Sequence, residues 1–303
     1  MLQAVQPLKS GDTVAIVAPC GLNESAQAEV AARTASEMHL VPVVFPSCRK
    51  RPIQATFEDT ARADDLNHAF FDAGIRAIWA IGCNESAFRL MQKLRFRTAA
   101  MHPKLFCGPI SAAPLHMAYN SLSGLTTIQT PDLGKIAWSE MELHTKTLLS
   151  DMLFGTEWPD PLCSQEQAMT TLAKGVCEGE LIGGTLESVC ATLGTPYEIK
   201  AKDCILMLDS LEDSPERVNR MLVQLKHAGK FEDCSGVLLG KFARCSSAAV
   251  SFAQDLILDE GKPVLFGASL GPDAPCLSVP LGKAVHMDAS SRVLKILSSR
   301  VSN

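Results

Sequence analysis

Basic residues are in the minority in this chain: 28 Lys and Arg face 33 Asp and Glu, a formal net charge of −5 at pH 7. No basic face is available, so a nucleic acid is not expected as the main partner. No stretch approaches the roughly 18 uninterrupted apolar residues of a membrane-spanning helix, so no membrane association is expected. The opening MLQAVQPLKSGD lacks a charged segment followed by an apolar one, and no signal peptide is expected. The 11 cysteines include no C-x-x-C pair, and the 7 histidines no H-x-x-x-H spacing, so neither a metal site nor a cofactor is expected. Buried free thiols in a reducing cytoplasm account for cysteines set in apolar runs, such as Cys107 in KLFCG and Cys204 in KDCILML.

With 47% hydrophobic residues over 303 positions, the chain can bury a large core and is expected to hold two domains. The first half alternates short apolar runs with helical patterns. Strands are predicted over 13–18, 41–45, 76–81 and 105–108, and helices over 23–38, 60–71, 86–94 and 113–119. Alternation of this kind gives βαβ units and a parallel sheet, with ligands at the carboxyl ends of the strands. That singles out the turns Pro19-Cys20-Gly21, Gly82-Cys83-Asn84-Glu85 and Gly108-Pro109-Ile110-Ser111. A helix over 139–153 closes this half, and a proline-bearing stretch reads as a linker. The second half is read as a Gly183-Gly184 turn, a helix over 185–193, a strand over 204–208, a helix over 215–228 and a strand over 235–240. Short strands around Gly282 and Asp288 end the chain. The fold class is therefore α/β, with a Rossmann-like domain over 1–155, a linker over 156–173 and a second domain over 174–303.

Six segments in order resemble the serine LD-carboxypeptidase family, which includes the microcin C immunity peptidases. They are LKSGDTVAIVAPCG, RADDLNHAFFDAGIRAIWAIG, LIGGTLESVCATLGTPYE, ERVNRMLVQLKHAGKF, PVLFGASLG and VPLGKAVHMD. The resemblance implies an N-terminal Rossmann-like parallel-sheet domain and a smaller, barrel-like C-terminal domain. It also implies a serine, glutamate and histidine triad at their interface, often in a homodimer. The implied reaction cuts an amide next to a free carboxylate; in the carboxypeptidases a murein tetrapeptide loses its terminal D-Ala.

The reacting positions depart from that pattern. The family's G-Y-S-D-I-T-A-L-H is similar to GPISAAPLH here, which puts Ile110 at the nucleophile and Ser111 one step beyond it. Isoleucine carries no nucleophilic atom. The acid position in L-F-L-E-D falls on Asp209, and the base position in the later G-H pair falls on Pro272, which cannot transfer a proton. The turn that supplies an oxyanion donor corresponds to Gly82, Cys83, Asn84 and Glu85, and an H-G-P motif to Gln129-Thr130-Pro131.

Two readings follow. In the first, the chain is peptidase-inactive and keeps an interdomain cleft for a small peptide or aminoacyl ligand, lined by Gly82, Cys83, Asn84, Glu85, Ile110 and Gln129. In the second, an amide hydrolase or re-purposed enzyme uses Ser111 or Cys83 with Asp209. Each residue also has a structural reading: Ser111 as a helix cap, Asp209 as a strand-end cap, and Cys107 and His116 as packing residues.

Overall fold

The computed structural model describes residues 6–21, 26–49, 55–162, 169–212, 214–271 and 276–297, and the side chains of 55–57, 85 and 259 lie outside that description. The strands of the first half are β1 (Thr13–Val17), β2 (Val41–Val44), β3 (Ile75–Ala80), β4 (Leu105–Gly108) and β5 (Thr127–Gln129). They form a parallel sheet in the order β2-β1-β3-β4-β5. Apart from Thr13 and the exposed Arg76, β1, β3 and β4 are apolar because helices cover both faces of the sheet, the usual state of parallel strands. The helices of this half are α1 (Ala26–Glu37), α2 (Ala55–Phe71), α3 (Phe96–Met101), α4 (Ala113–Ser123) and α5 (Leu143–Phe154). The strand order reverses at β1 and β3, so a crevice opens between the loops that follow these two strands.

The second half supplies β6 (Thr170–Ala173), β7 (Val176–Thr185), β8 (Cys204–Asp209), β9 (Gly236–Gly240), β10 (Val264–Ala268), β11 (Val279–Leu281), β12 (Ala284–Asp288) and β13 (Val293–Ile296). Seven of these make a curled mixed sheet in the order β13-β12-β7-β8-β9-β10-β6. The eighth, β11, crosses over and pairs antiparallel with β5 at the edge of the first sheet. The helices are α6 (Leu186–Thr192), α7 (Pro215–His227), α8 (Lys230–Asp233) and α9 (Ser246–Ile257). The expected α/β architecture, a parallel-rich sheet followed by a curled one, is what the chain adopts.

Helix α4 is buried on nearly every side because it lies between the halves. Its Ala113 and Met117 pack into the apolar cluster of the second sheet, while Leu115 and Tyr119 pack into that of the first. Another core cluster runs through both halves, from Ile16 and Ile110 to Leu238 and Met287.

Three local expectations change. Residues 86–94 form two 3-10 turns, Glu85–Arg89 and Met91–Lys93, in place of an α-helix. The buried Ala87 and Leu90, and then Met91 and Leu94, repeat at three, the spacing that a 3-10 helix stacks. The turns are pinned to α2, with Arg89 Nε donating to Asp59 at 2.8 Å and Asn67 Nδ2 to Lys93 O at 3.0 Å. Gly183 and Gly184 end strand β7 and make no turn. A Cβ on Gly183 would overlap the Met207 carbonyl of β8, and one on Gly184 would overlap Ala113 of α4. Thr170–Ala173, read as the end of the linker, is the edge strand β6. The expected caps at Asn23 and Ser25 lie outside the described residues.

Helix α7 follows its sequence pattern closely. Val218, Met221, Leu222 and Leu225 face inward, Pro215 opens the helix, and Ser214 Oγ accepts from the Arg217 amide at 3.4 Å. Ser214→Ala removes that acceptor and is expected to cost about 1 kcal/mol in urea unfolding, with Ser214→Gly costing only a few tenths.

Candidate functional site

Four chain segments meet where the halves join. β4 ends at Gly108 and passes through Pro109 into a 3-10 turn, Ile110–Ala112, that feeds α4. The Gly108 carbonyl accepts from the Thr130 amide at 2.8 Å, which fixes the end of β4 against the end of β5. From the other side β7 arrives at Gly184, close to the Ile110 carbonyl, and Thr185 stands beside Asp209 at the end of β8. The segment after β10 closes the group, with Gln129 Nε2 donating to Leu270 O at 3.0 Å and Gly271 lying near Asp209 Oδ2.

Ile110 is 4% exposed and joins the apolar core that spans both halves. Ser111 is half-buried within the 3-10 turn. Among the described residues its hydroxyl bonds to neither an imidazole nor a carboxylate, and it does not cap α4, whose N-cap is Ala112. The cap reading of Ser111 is therefore replaced by a plain turn position. His116 is buried, with Nε2 at 3.2 Å from Gly108 O and its ring edge-on to Phe106. Burial pushes the imidazole down to about 4, so it is neutral, and its role is packing behind the turn.

Asp209 is 3% exposed. Its Oδ1 accepts from the amides of Ser210 (2.8 Å) and Phe242 (2.9 Å). Burial raises the carboxyl to about 6, against the pull of those two amides. Gly240 is obligatory beside it, since any Cβ there would overlap the carboxylate. Ser210 Oγ donates to Glu187 of α6, which ties the residue after Asp209 to a groove of about 540 Å³. The groove runs between Phe88 of the first half and Glu187, Glu212, Arg217 and Arg220 of the second. Glu187 carried no motif in the sequence; only the fold brings it to the site. Pro272 and the Glu85 side chain lie outside the described residues.

The turn after β3 forms a second corner of the crevice. Gly82 adopts φ +61°, and Asn84 is exposed, its side chain accepting from the Ser86 amide at 2.8 Å. Cys83 packs with Cys20, from the turn after β1, against the core of the first sheet. Gln129 is buried and held by Leu270 O, so of the residues expected to line a cleft it is the most enclosed. Among the described residues no group of three His, Cys, Asp or Glu side chains is placed to hold a metal ion. No helix among them is long and apolar enough to cross a membrane.

Comparison with known proteins matches residues 14–130 to the LD-carboxypeptidase N-terminal domain and residues 178–287 to the LD-carboxypeptidase C-terminal domain. A probable murein peptide carboxypeptidase of Bacillus subtilis (strain 168) is 28% identical over 297 residues, covering 95% of this chain and 92% of its own. The crystal structure of muramoyltetrapeptide carboxypeptidase from Oxalobacter formigenes superposes with a TM-score of 0.77 at 20% identity, over 94% of this chain and 97% of that one. The microcin C7 self immunity protein MccF, solved in complex with glutamyl sulfamoyl guanosine, superposes with a TM-score of 0.83 at 20% identity, over 100% of both chains.

Proposed function

The chain belongs to the LD-carboxypeptidase family, and from that premise we propose that it binds, without cleaving, a small peptide or aminoacyl ligand in the cleft between its halves. The observation that carries this reading is Ile110, an inert side chain buried in the core at the end of β4. A hydrolase of this architecture needs a nucleophile there and a base beside the acid, and the sequence supplies isoleucine and Pro272. The acid remains as Asp209. Loss of both nucleophile and base leaves at most the residual rate given by binding and by an oxyanion hole.

The ligand class follows from the relatives: a murein peptide for the carboxypeptidases and an aminoacyl sulfamoyl nucleoside for MccF. In this proposal the ligand contacts the Gly82-Cys83-Asn84 turn and the groove that holds Glu187, Arg217 and Arg220. A cytoplasmic homodimer belongs to the same proposal, and light scattering of the purified protein reads its oligomeric part.

The test combines turnover with binding. Purified protein is incubated with murein tetrapeptide and with glutamyl sulfamoyl guanosine, and the products are followed by mass spectrometry. The expected result is no cleavage of either compound and a raised Tm with at least one. Turnover that Ser111→Ala or Asp209→Asn abolishes would overturn the proposal and identify a working hydrolase. The absence of both turnover and thermal stabilisation would overturn the ligand assignment.

A further inference from the structure

The crevice at the β1 and β3 ends holds two thiols, Cys20 on the turn after β1 and Cys83 on the turn after β3. Cys20 lies 64 positions from Asn84 in the chain, yet its Sγ accepts from the Asn84 amide at 3.2 Å and its thiol donates to the Asn84 carbonyl oxygen at 3.2 Å. The Cys83 thiol, which itself donates to Ile81 O at 3.8 Å, and the Ser86 hydroxyl lie near enough to the Cys20 sulfur to favour its charged form. A terminal nitrogen of the Arg62 guanidinium sits over Gly21, one residue away. Arg62 is itself anchored, since it and Arg89 both pair with the buried Asp59 carboxylate. An amide, a hydroxyl, a thiol and a fixed cation therefore all favour negative charge on one sulfur, the environment of a reactive cysteine.

Five other thiols are different. Cys48, Cys190, Cys204 and Cys234 are buried, and burial pushes each thiol up. Cys177 is half-buried and also pushed up by burial. Cys20 and Cys83 are both half-buried, at the surface of the crevice. The neighbouring Cys83 thiol, the largest influence on Cys20, and the Asn84 amide bring that thiol to about 7 against the cost of burial. Cys83 is held well above the ordinary thiol range, first by the neighbouring Cys20 and then by burial and the Asp132 carboxylate. The pair is thus divided into an attacking sulfur and a protonated neighbour in contact with it.

We propose that Cys20 and Cys83 are a peroxide-reactive thiol pair that closes to a disulfide across the β1 and β3 turns. The Cys20 thiolate attacks one oxygen of hydrogen peroxide; the S–O bond forms as the O–O bond breaks, and hydroxide leaves. The Cys83 sulfur then attacks the Cys20 sulfenic acid as its proton passes to the departing oxygen. The S–S bond forms, the S–O bond breaks and water leaves. Two thiols give up two electrons, and one peroxide becomes two waters. A small-molecule thiol reverses the change by exchange. The site is independent of Ile110 and Asp209 and does not rest on the ligand proposal.

The experiment treats the full-length protein with hydrogen peroxide at pH 7 and maps its peptides by mass spectrometry. Wild type is expected to give a Cys20–Cys83 cross-link that a thiol reductant removes. Cys83→Ser is expected to stop at a sulfenic acid on Cys20, captured by a 1,3-dione, and Cys20→Ser to give neither product. Competitive alkylation of the unmutated protein supplies a second reading that needs no variant. The larger thiolate fraction at Cys20, offset by its lower intrinsic nucleophilicity, gives a rate roughly fiftyfold to a hundredfold above that at Cys177. A cross-link to another cysteine, Cys163 included, would overturn the proposal. So would Cys83 oxidation undiminished in Cys20→Ser, or equal alkylation of Cys20 and Cys177.

Discussion

Gly183→Ala is expected to cost the protein about 3–5 kcal/mol and to leave it largely unfolded under mild denaturant. Gly183 has φ +134°, a region L-residues rarely enter, and a new Cβ would be driven into the main chain of Met207 on the neighbouring strand β8. A main-chain carbonyl in the middle of a parallel sheet cannot swing aside as a long side chain can. The strand pair would have to part, and Gly183 and Met207 are register partners at its centre. Against a total stability of about 5–15 kcal/mol, that loss is close to the whole. Gly194→Ala is the control. Gly194 has φ +73° with nothing within 4 Å of a new Cβ, so only the backbone preference is lost, about 1 kcal/mol. Urea midpoints of the two variants decide the matter. A Gly183 variant no less stable than the Gly194 variant would show that β7 and β8 can separate locally, and the account of the glycine pair would fail.

That pair marks where sequence reading reached its limit. The residues GG were visible, and two consecutive glycines between apolar runs read as a turn. What selects them is the approach of β8 on one side and α4 on the other, contacts that no local pattern encodes. Strands β1, β3, β4 and β8 were legible because each is a short, continuous apolar run that stops at a turn residue. Helix α7 was legible from its cap and its inward stripe. Helix α9 was not, because its N-cap, Cys245, makes no capping bond and its inward face carries the small Ala249 and Ala253 before Ile257. The site divides in the same way. Ile110 and Asp209 are expected at the site because motifs number them, and Pro19-Cys20-Gly21 because it is a strand-end turn. Glu187 meets Ser210 across 23 positions and Cys20 meets Asn84 across 64, so both relations belong to the tertiary fold.

Asp209→Asn is expected to stabilise the protein by about 2 kcal/mol at pH 7.5 and to change little at pH 4. In the folded chain burial raises this carboxyl from 3.8 to about 6. Between those values the native state keeps a proton that the unfolded chain has released, so stability falls as pH rises through the window. The full penalty, about 3 kcal/mol for two pKa units, is in place by pH 7. Asparagine removes the charge and keeps an Oδ1 to accept from the Ser210 and Phe242 amides. It also places an Nδ2 where Oδ2 lies near Gly271, and the need to satisfy that donor takes back part of the gain. In a working triad a carboxylate in this place orients an imidazole, and its burial is offset by that partner. On the proposed reading the base position falls on Pro272, which has no proton to share, while Asp209 keeps a buried carboxyl. On that reading the variant weighs the cost of an acid held without a base. Urea unfolding of wild type and variant at the two pH values gives the answer. A variant less stable than wild type at pH 7.5, or equal differences at both pH values, would mean that the carboxylate has a compensating partner in the fold and is still held for use.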